Sequence, residues 1–208
     1  MTLRVLGRTS SINVRKVLWT AAELGIDYLR EDWGMPVRDP KAPEFLALNP
    51  NAQVPVIVED GFVLWDSHAI IRYLAETHPE GGLLPAGVRE RAVVDQWLTW
   101  QATELNPAWS YAFLALARKT PGYDDPRRIA ESTEQWAAKM AILEGRLAET
   151  GAFAGGDAFS LADISLGLSA HRWFSTLVER PDLPAVEAYY ERLSKRPAGA
   201  RWMVPGVP

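Results

Sequence analysis

Asn49-Pro-Asn-Ala-Gln-Val-Pro-Val56 is followed, eleven residues after Pro55, by Asp66-Ser67. Pro55 opens an apolar strand pattern, Val54 to Val58. A proline has no N–H to give, so it fits badly in a central ladder. A cis bond before Pro55 would turn the N–H and C=O of Val54 toward an incoming peptide. Asp66-Ser67 stands where a helix should begin. It offers a carboxylate, a hydroxyl and the free N–H groups of a helix N-terminus, which favour a ligand carboxylate. A backbone clamp beside a carboxylate seat suits a small, anionic, peptide-like molecule.

The flanking sequence builds a small α/β unit around this stretch. Residues 2–7 alternate as a strand, and residues 11–24 carry apolar positions at helical spacing, with Gly25 as a stop. Tyr28–Asp32 reads as a second strand. A loop with Pro36, Pro40 and Pro43 leads to a short helix near 42–48. Asp60-Gly61 is a hairpin turn between strands 54–58 and 62–65. A helix then runs to His78-Pro79. The order β-α-β-α-β-β-α makes the first two strands parallel, by a right-handed crossover, and the last two a hairpin. This is the order of a thioredoxin-like domain over residues 1–79.

Residues 80–87, rich in Gly and Pro, read as a linker. Strand signals then vanish, and 88–208 reads as all-helical, with patterns near 88–118, 126–149, 161–178 and 183–195. Pro107 should bend or break the first of these. That kink would splay two helices and open a crevice toward the first domain. Ser160-Leu-Ala-Asp163 is a capping box with Asp in place of Glu, and it reads as a folding device.

Bulk properties bound the chemistry. With 22 Lys+Arg against 26 Asp+Glu, the net charge of −4 gives no support to nucleic-acid binding. The absence of cysteine excludes disulfides, thiolate metal sites and a redox thiol borne by the protein. His68, His78 and His171 lack metal-ligand spacing, so no metal is expected. No apolar run reaches membrane-spanning length and the N-terminus carries no signal pattern, so a cytoplasmic location is expected. The nine tryptophans are scattered without a repeat and read chiefly as packing.

Five segments together resemble the glutathione transferase family, in its order and spacing. They are Leu3–Gly7, Ser10–Val17, Leu46–Pro55, Leu64–Leu74 and Phe159–Asp163. The serine-bearing segment places the chain with serine-type members of phi, theta or zeta character. The resemblance implies a thioredoxin-like domain that binds glutathione and an all-α domain that takes an electrophile. Glutathione is then a co-substrate, with no permanently bound cofactor. The phi-type motif lands on Ser11 as the residue facing sulfur, and the zeta-type motif on Ser10. Asn13 is a further candidate for the sulfur or the ligand backbone. Val54, by way of Pro55, grips the tripeptide main chain. Gln53 and Ser67 meet a carboxylate, Asp66 the γ-glutamyl ammonium, and Lys41 the glycyl carboxylate. Trp33, Pro36, Trp100, Glu104, Trp109, Tyr111 and Trp173 sit on elements expected to line the acceptor pocket. Packing accounts for each singly, and a shared apolar wall is expected of several. Arg15 and Lys16 read as a solvated helix face. A homodimer is also implied, of the flatter type, because Asn51 stands where some relatives carry an aromatic key.

Simple energetics fit that chemistry. A free thiol has a pKa of about 8.5, and lowering it by about two units needs about 2.7 kcal/mol of preference for the anion. A hydroxyl hydrogen bond to the thiolate supplies about 1.5–3 kcal/mol. A helix N-terminus adds up to about 2 kcal/mol. A serine can therefore act as donor without a base. Reduction of peroxides or mixed disulfides by glutathione would use the same residues, and a noncatalytic interaction module would use the same fold.

Overall fold

The computed structural model describes residues 2–204 and divides into two compact units between Leu84 and Pro85. The first unit holds a four-stranded sheet of order β2-β1-β3-β4. Its strands are β1 (Leu3–Leu6), β2 (Tyr28–Glu31), β3 (Val56–Glu59) and β4 (Phe62–Trp65). β1 runs parallel to β2 and antiparallel to β3, and β3 pairs antiparallel with β4. Asp60 and Gly61 take φ of 49° and 85°, which makes the two-residue hairpin turn expected of that dipeptide. β3 begins one residue after Pro55, because a residue without an N–H cannot join the ladder.

Three helices complete this unit: α1 (Ile12–Leu24), α2 (Pro43–Leu46) and α3 (Ser67–Thr77). α1 ends at Gly25 in the left-handed conformation, whose N–H returns to the carbonyls of Ala21 and Ala22. α1 and α3 pack against each other. Val14, Val17, Leu18, Ile70, Ile71 and Leu74 are fully or almost fully buried. Gly7 links β1 to α1 where a Cβ would collide with Val14 and press on Val54, so only glycine fits there. A second apolar cluster gathers Leu6, Trp33, Phe45 and Val56.

Arg15 and Lys16 correct the sequence expectation. They are only 3% and 1% exposed. Their side chains are long enough to run along apolar surface, so the helical pattern alone misassigned them to a solvated face.

The second unit is helical: α4 (Val88–Trp100), α5 (Asn106–Leu116), α6 (Pro126–Thr150), α7 (Leu161–Ser175), α8 (Pro184–Ser194) and the short α9 (Pro197–Trp202). The chain does not break at Pro107. A π-helical turn over Gln101–Leu105 joins α4 to α5 directly, with Pro107 in the first turn of α5. The wider ring takes up the missing N–H and the bulk of the proline. α7 stops at Ser175, earlier than its pattern suggests, because Thr176 turns extended.

The capping box of α7 forms as its sequence implies. Asp163 is fully buried and accepts from Ala154 N (2.8 Å), Ser160 N (2.9 Å), Ser160 Oγ (2.9 Å) and Tyr189 Oη (3.0 Å). Burial pushes its carboxyl above the usual range, while these donors pull it down. Around it pack Leu161, Ile164, Tyr189 and Leu193, none of them measurably exposed. Among the described residues no helix is long and apolar enough to cross a membrane.

Candidate glutathione site

Two helix starts and one loop enclose a hollow of about 210 Å³ in the first unit, lined by Asn13, Asn49, Asn51, Gln53, Val54, Pro55, Trp65, Asp66 and Ser67. The Val54–Pro55 peptide is cis. The β1–β3 pairing ends at Val56, so the main chain of Val54 takes no part in the sheet ladder. Gln53 lines the hollow, and its carbonyl accepts from Asn49 Nδ2 at 2.8 Å. Asn49, 2% exposed, also accepts from the N–H and Nδ2 of Asn51, at 3.0 Å each. This one buried amide therefore shapes the loop that presents Gln53 and Val54.

At the head of α3, Asp66 is the cap. Its Oδ1 accepts from the N–H groups of His68 and Ala69, both at 3.0 Å. Its φ of 74° lies in a region few residues other than glycine adopt. Such conformations gather at ligand sites, where the surrounding structure holds them. Ser67 follows as the first helical residue, 5% exposed, at the edge of the hollow.

α1 begins differently. Ser11 occupies its cap position with extended backbone, yet its side chain makes no capping hydrogen bond. Asn13, in the first turn, reaches the lining, and its buried Oδ1 lacks a hydrogen-bond partner among the described residues. A buried amide oxygen without a donor carries a free-energy penalty that a ligand donor would remove.

Six of the nine residues expected to handle the tripeptide thus share one hollow: Asn13, Gln53, Val54, Pro55, Asp66 and Ser67. Ser11, Ser10 and Lys41 are not among its lining residues. Ser11 is half-buried two residues before Asn13, and Ser10 is half-buried in the preceding turn. Lys41 is exposed, with its N–H on Asp39 Oδ1 at 2.9 Å. No sign in the sequence pointed to Asn49, Asn51 or Trp65 as lining residues of this hollow. The first two stand in the deciding stretch itself, and Trp65, 43% exposed, directly precedes Asp66.

Of the seven residues nominated for an acceptor wall, Trp33 and Pro36 belong to the first unit and the other five to the second. Trp33 is 2% exposed, 4.8 Å from Phe45 between ring centroids, with the guanidinium of Arg38 over its face. Pro36 lies in a loop after a second cis peptide. Trp109 and Trp173 both pack on Trp136 inside the helical unit, at 6.2 and 4.9 Å. Trp100 stacks edge-on against Trp97 in a separate hollow between α4 and α6. Glu104 pairs with Lys139 at 2.7 Å. Tyr111 faces Tyr123 and Arg128. Trp33, Trp109 and Trp173 are therefore core residues, placed there by their large apolar area.

His171 is buried in α7, with its Nδ1 3.1 Å from Tyr190 Oη. Among the described residues no group of three or more His, Asp or Glu side chains is placed to hold a metal ion.

This architecture and hollow have counterparts. Residues 10–77 match the family described as glutathione S-transferase, N-terminal domain, and residues 126–192 match glutathione S-transferase, C-terminal domain. The chain is 32% identical over 194 residues to glutathione S-transferase GstB of Escherichia coli strain K12, covering 92% of this chain and 93% of that one. It is 34% identical over 165 residues to the disulfide-bond oxidoreductase YfcG of the same strain, covering 75% of this chain and 74% of that one. Among solved structures it resembles the theta class glutathione S-transferase of the citrus canker pathogen Xanthomonas axonopodis pv. citri with glutathione bound. The TM-score is 0.92 at 35% identity, over 100% of this chain and 99% of that one. The chain belongs to the glutathione S-transferase family.

Proposed function

We propose that this protein is a glutathione transferase: it binds glutathione in the hollow of its first unit, holds the thiol as thiolate and adds the sulfur to a hydrophobic electrophile. The observation that carries this reading is the meeting of Val54, Gln53, Asp66 and Ser67 around one cavity beside the open start of α1. The ligand is a tripeptide with two carboxylates, one ammonium and one thiol, and each has a complementary group. The main chain of Val54 pairs with the cysteinyl residue. Ser67 and Gln53 receive the γ-glutamyl carboxylate at a helix N-terminus. Asp66 keeps one carboxylate oxygen for the ammonium, and Lys41 serves the glycyl carboxylate.

The hydroxyl of Ser11, unspent on capping, donates to the thiolate, with Asn13 beside it and Ser10 as the alternative donor. Residues 1–79 are assigned to glutathione, 80–87 to a linker, and 88–208 to the acceptor. The protein is assigned to the cytoplasm as a homodimer, and exposed Phe62, Trp65 and Ile142 supply apolar surface for the subunit contact.

Calorimetric titration with glutathione, followed by ultraviolet titration of the bound thiol, tests this reading. Ser11→Ala is expected to raise the thiol pKa on the protein. A rise with Ser10→Ala instead would transfer the role to Ser10. Failure of the wild type to bind millimolar glutathione would favour a noncatalytic module.

The similarity to a disulfide-bond oxidoreductase favours one second reading, the reduction of disulfides by glutathione on the same site. Comparing conjugation of a chloronitrobenzene with reduction of hydroxyethyl disulfide separates the two.

A further inference from the structure

A buried contact between α1 and α3 has no part in the chemistry above. Lys16 Nζ stands 3.0 Å from His68 Nε2. The two residues are 1% and 7% exposed. Burial, then the charges of Lys16 and Arg72, push the imidazole down to about 2. The ring is neutral, and its Nε2 accepts from the lysine ammonium. Hydrogen bonds from charged donors are about twice as strong as neutral ones.

The location gives this contact its meaning. Lys16 follows Asn13 by three residues in α1, a spacing that places both on one helix face. His68 directly follows Ser67 in α3. The pair thus ties α1 to α3, the two helices that bring Asn13 and Ser67 to the hollow.

We propose that Lys16 and His68 are positioning residues of the glutathione site, their hydrogen bond setting the spacing between Asn13 and Ser67 and so the fit of the anionic γ-glutamyl end. This rests on the assignment of the hollow to glutathione.

The test measures the Kd for glutathione and the melting temperature of the full-length protein. The variants are Lys16→Met, His68→Leu, His68→Gln and the double variant Lys16→Met/His68→Leu. Each of the two disrupting single changes is expected to weaken binding by about tenfold. The double variant should be little worse than either single, because both remove one contact. Glutamine keeps an acceptor for the ammonium, so His68→Gln should regain most of the wild-type affinity. The absorbance of the bound thiolate at saturating glutathione should stay unchanged in His68→Leu. A lower melting temperature with unchanged Kd would reduce the pair to a folding element and overturn the proposal. So would additive losses, or a His68→Gln as weak as His68→Leu. If Lys16→Met does not fold, the two His68 variants decide alone. A wild type that fails to bind glutathione overturns the site assignment and this proposal with it, whereas normal wild-type binding with unaffected variants overturns this proposal only.

Discussion

At the head of α7, Ser160 and Asp163 spend their polar atoms inside the protein, with four donors converging on one carboxylate that solvent does not reach. At the head of α3, Asp66 stays exposed, engages one oxygen and leaves the other without a partner among the described residues. At the head of α1, Ser11 makes no capping bond at all. The same residue types start helices in all three places. Saturation marks the first as a folding device, and open valence leaves the other two with polar atoms to spare for the ligand proposed above.

The largest effect should come from the saturated start. Asp163→Ala strands three buried donors, since Tyr189 Oη keeps the main-chain carbonyl of residue 163 at 3.3 Å, and should cost about 3–5 kcal/mol of stability, read from denaturant unfolding, with the glutathione affinity of the folded fraction unchanged. A selective loss of affinity would break the distinction. Ser11→Ala should do the reverse. Losing one hydrogen bond to a thiolate lowers kcat/KM by about 10- to 150-fold, for about 1.5–3 kcal/mol. Its melting temperature should hardly move, because the hydroxyl caps nothing.

A third measurement concerns the buried histidine behind the open starts. Its folded pKa is depressed from 6.5 to about 2, so the unfolded chain binds the extra proton between these values. The stability from keeping His68 neutral is complete above the unfolded pKa. It drains as pH falls through that window, at up to about 1.4 kcal/mol per pH unit. Unfolding curves at successively lower pH should show that slope in the wild type, and His68→Gln should flatten it. The smallest effect belongs to the solvated pair Glu104–Lys139. Glu104→Ala should change stability by about 0.2–1 kcal/mol and leave glutathione affinity alone.

Local chemistry made much of this legible in the sequence. Asp60-Gly61 can hardly avoid its turn, Pro55 excludes itself from a ladder, and Ser160 with Asp163 announces a cap. The element order of the first unit followed from such marks. The burial of Arg15 and Lys16 did not, since long stems hide beneath apolar surface that only the tertiary fold supplies. Nor did the packing of Trp109 and Trp173 on Trp136, because a helical pattern identifies an apolar face but not its neighbour. Asn49 was written in the deciding stretch, yet its work is to fold a loop back on itself, and spacing does not record that. The π turn was hidden for a similar reason: a proline signals that a helix must adjust and leaves the manner of adjustment open.

That turn has a geometric consequence. A wider ring consumes one more residue per revolution, so everything after Leu105 is rotated back by about 100° relative to an unbroken α-helix. Val94 and Ala112, both nearly inaccessible to solvent, would stand on one line of an unbroken α-helix, and across this turn they stand about 100° apart. Removing a single residue between Gln101 and Leu105 would let the rod close as plain α-helix with the Trp109–Phe113 stripe facing as it does now, whereas winding all the present residues as α-helix would swing that stripe by about 100°.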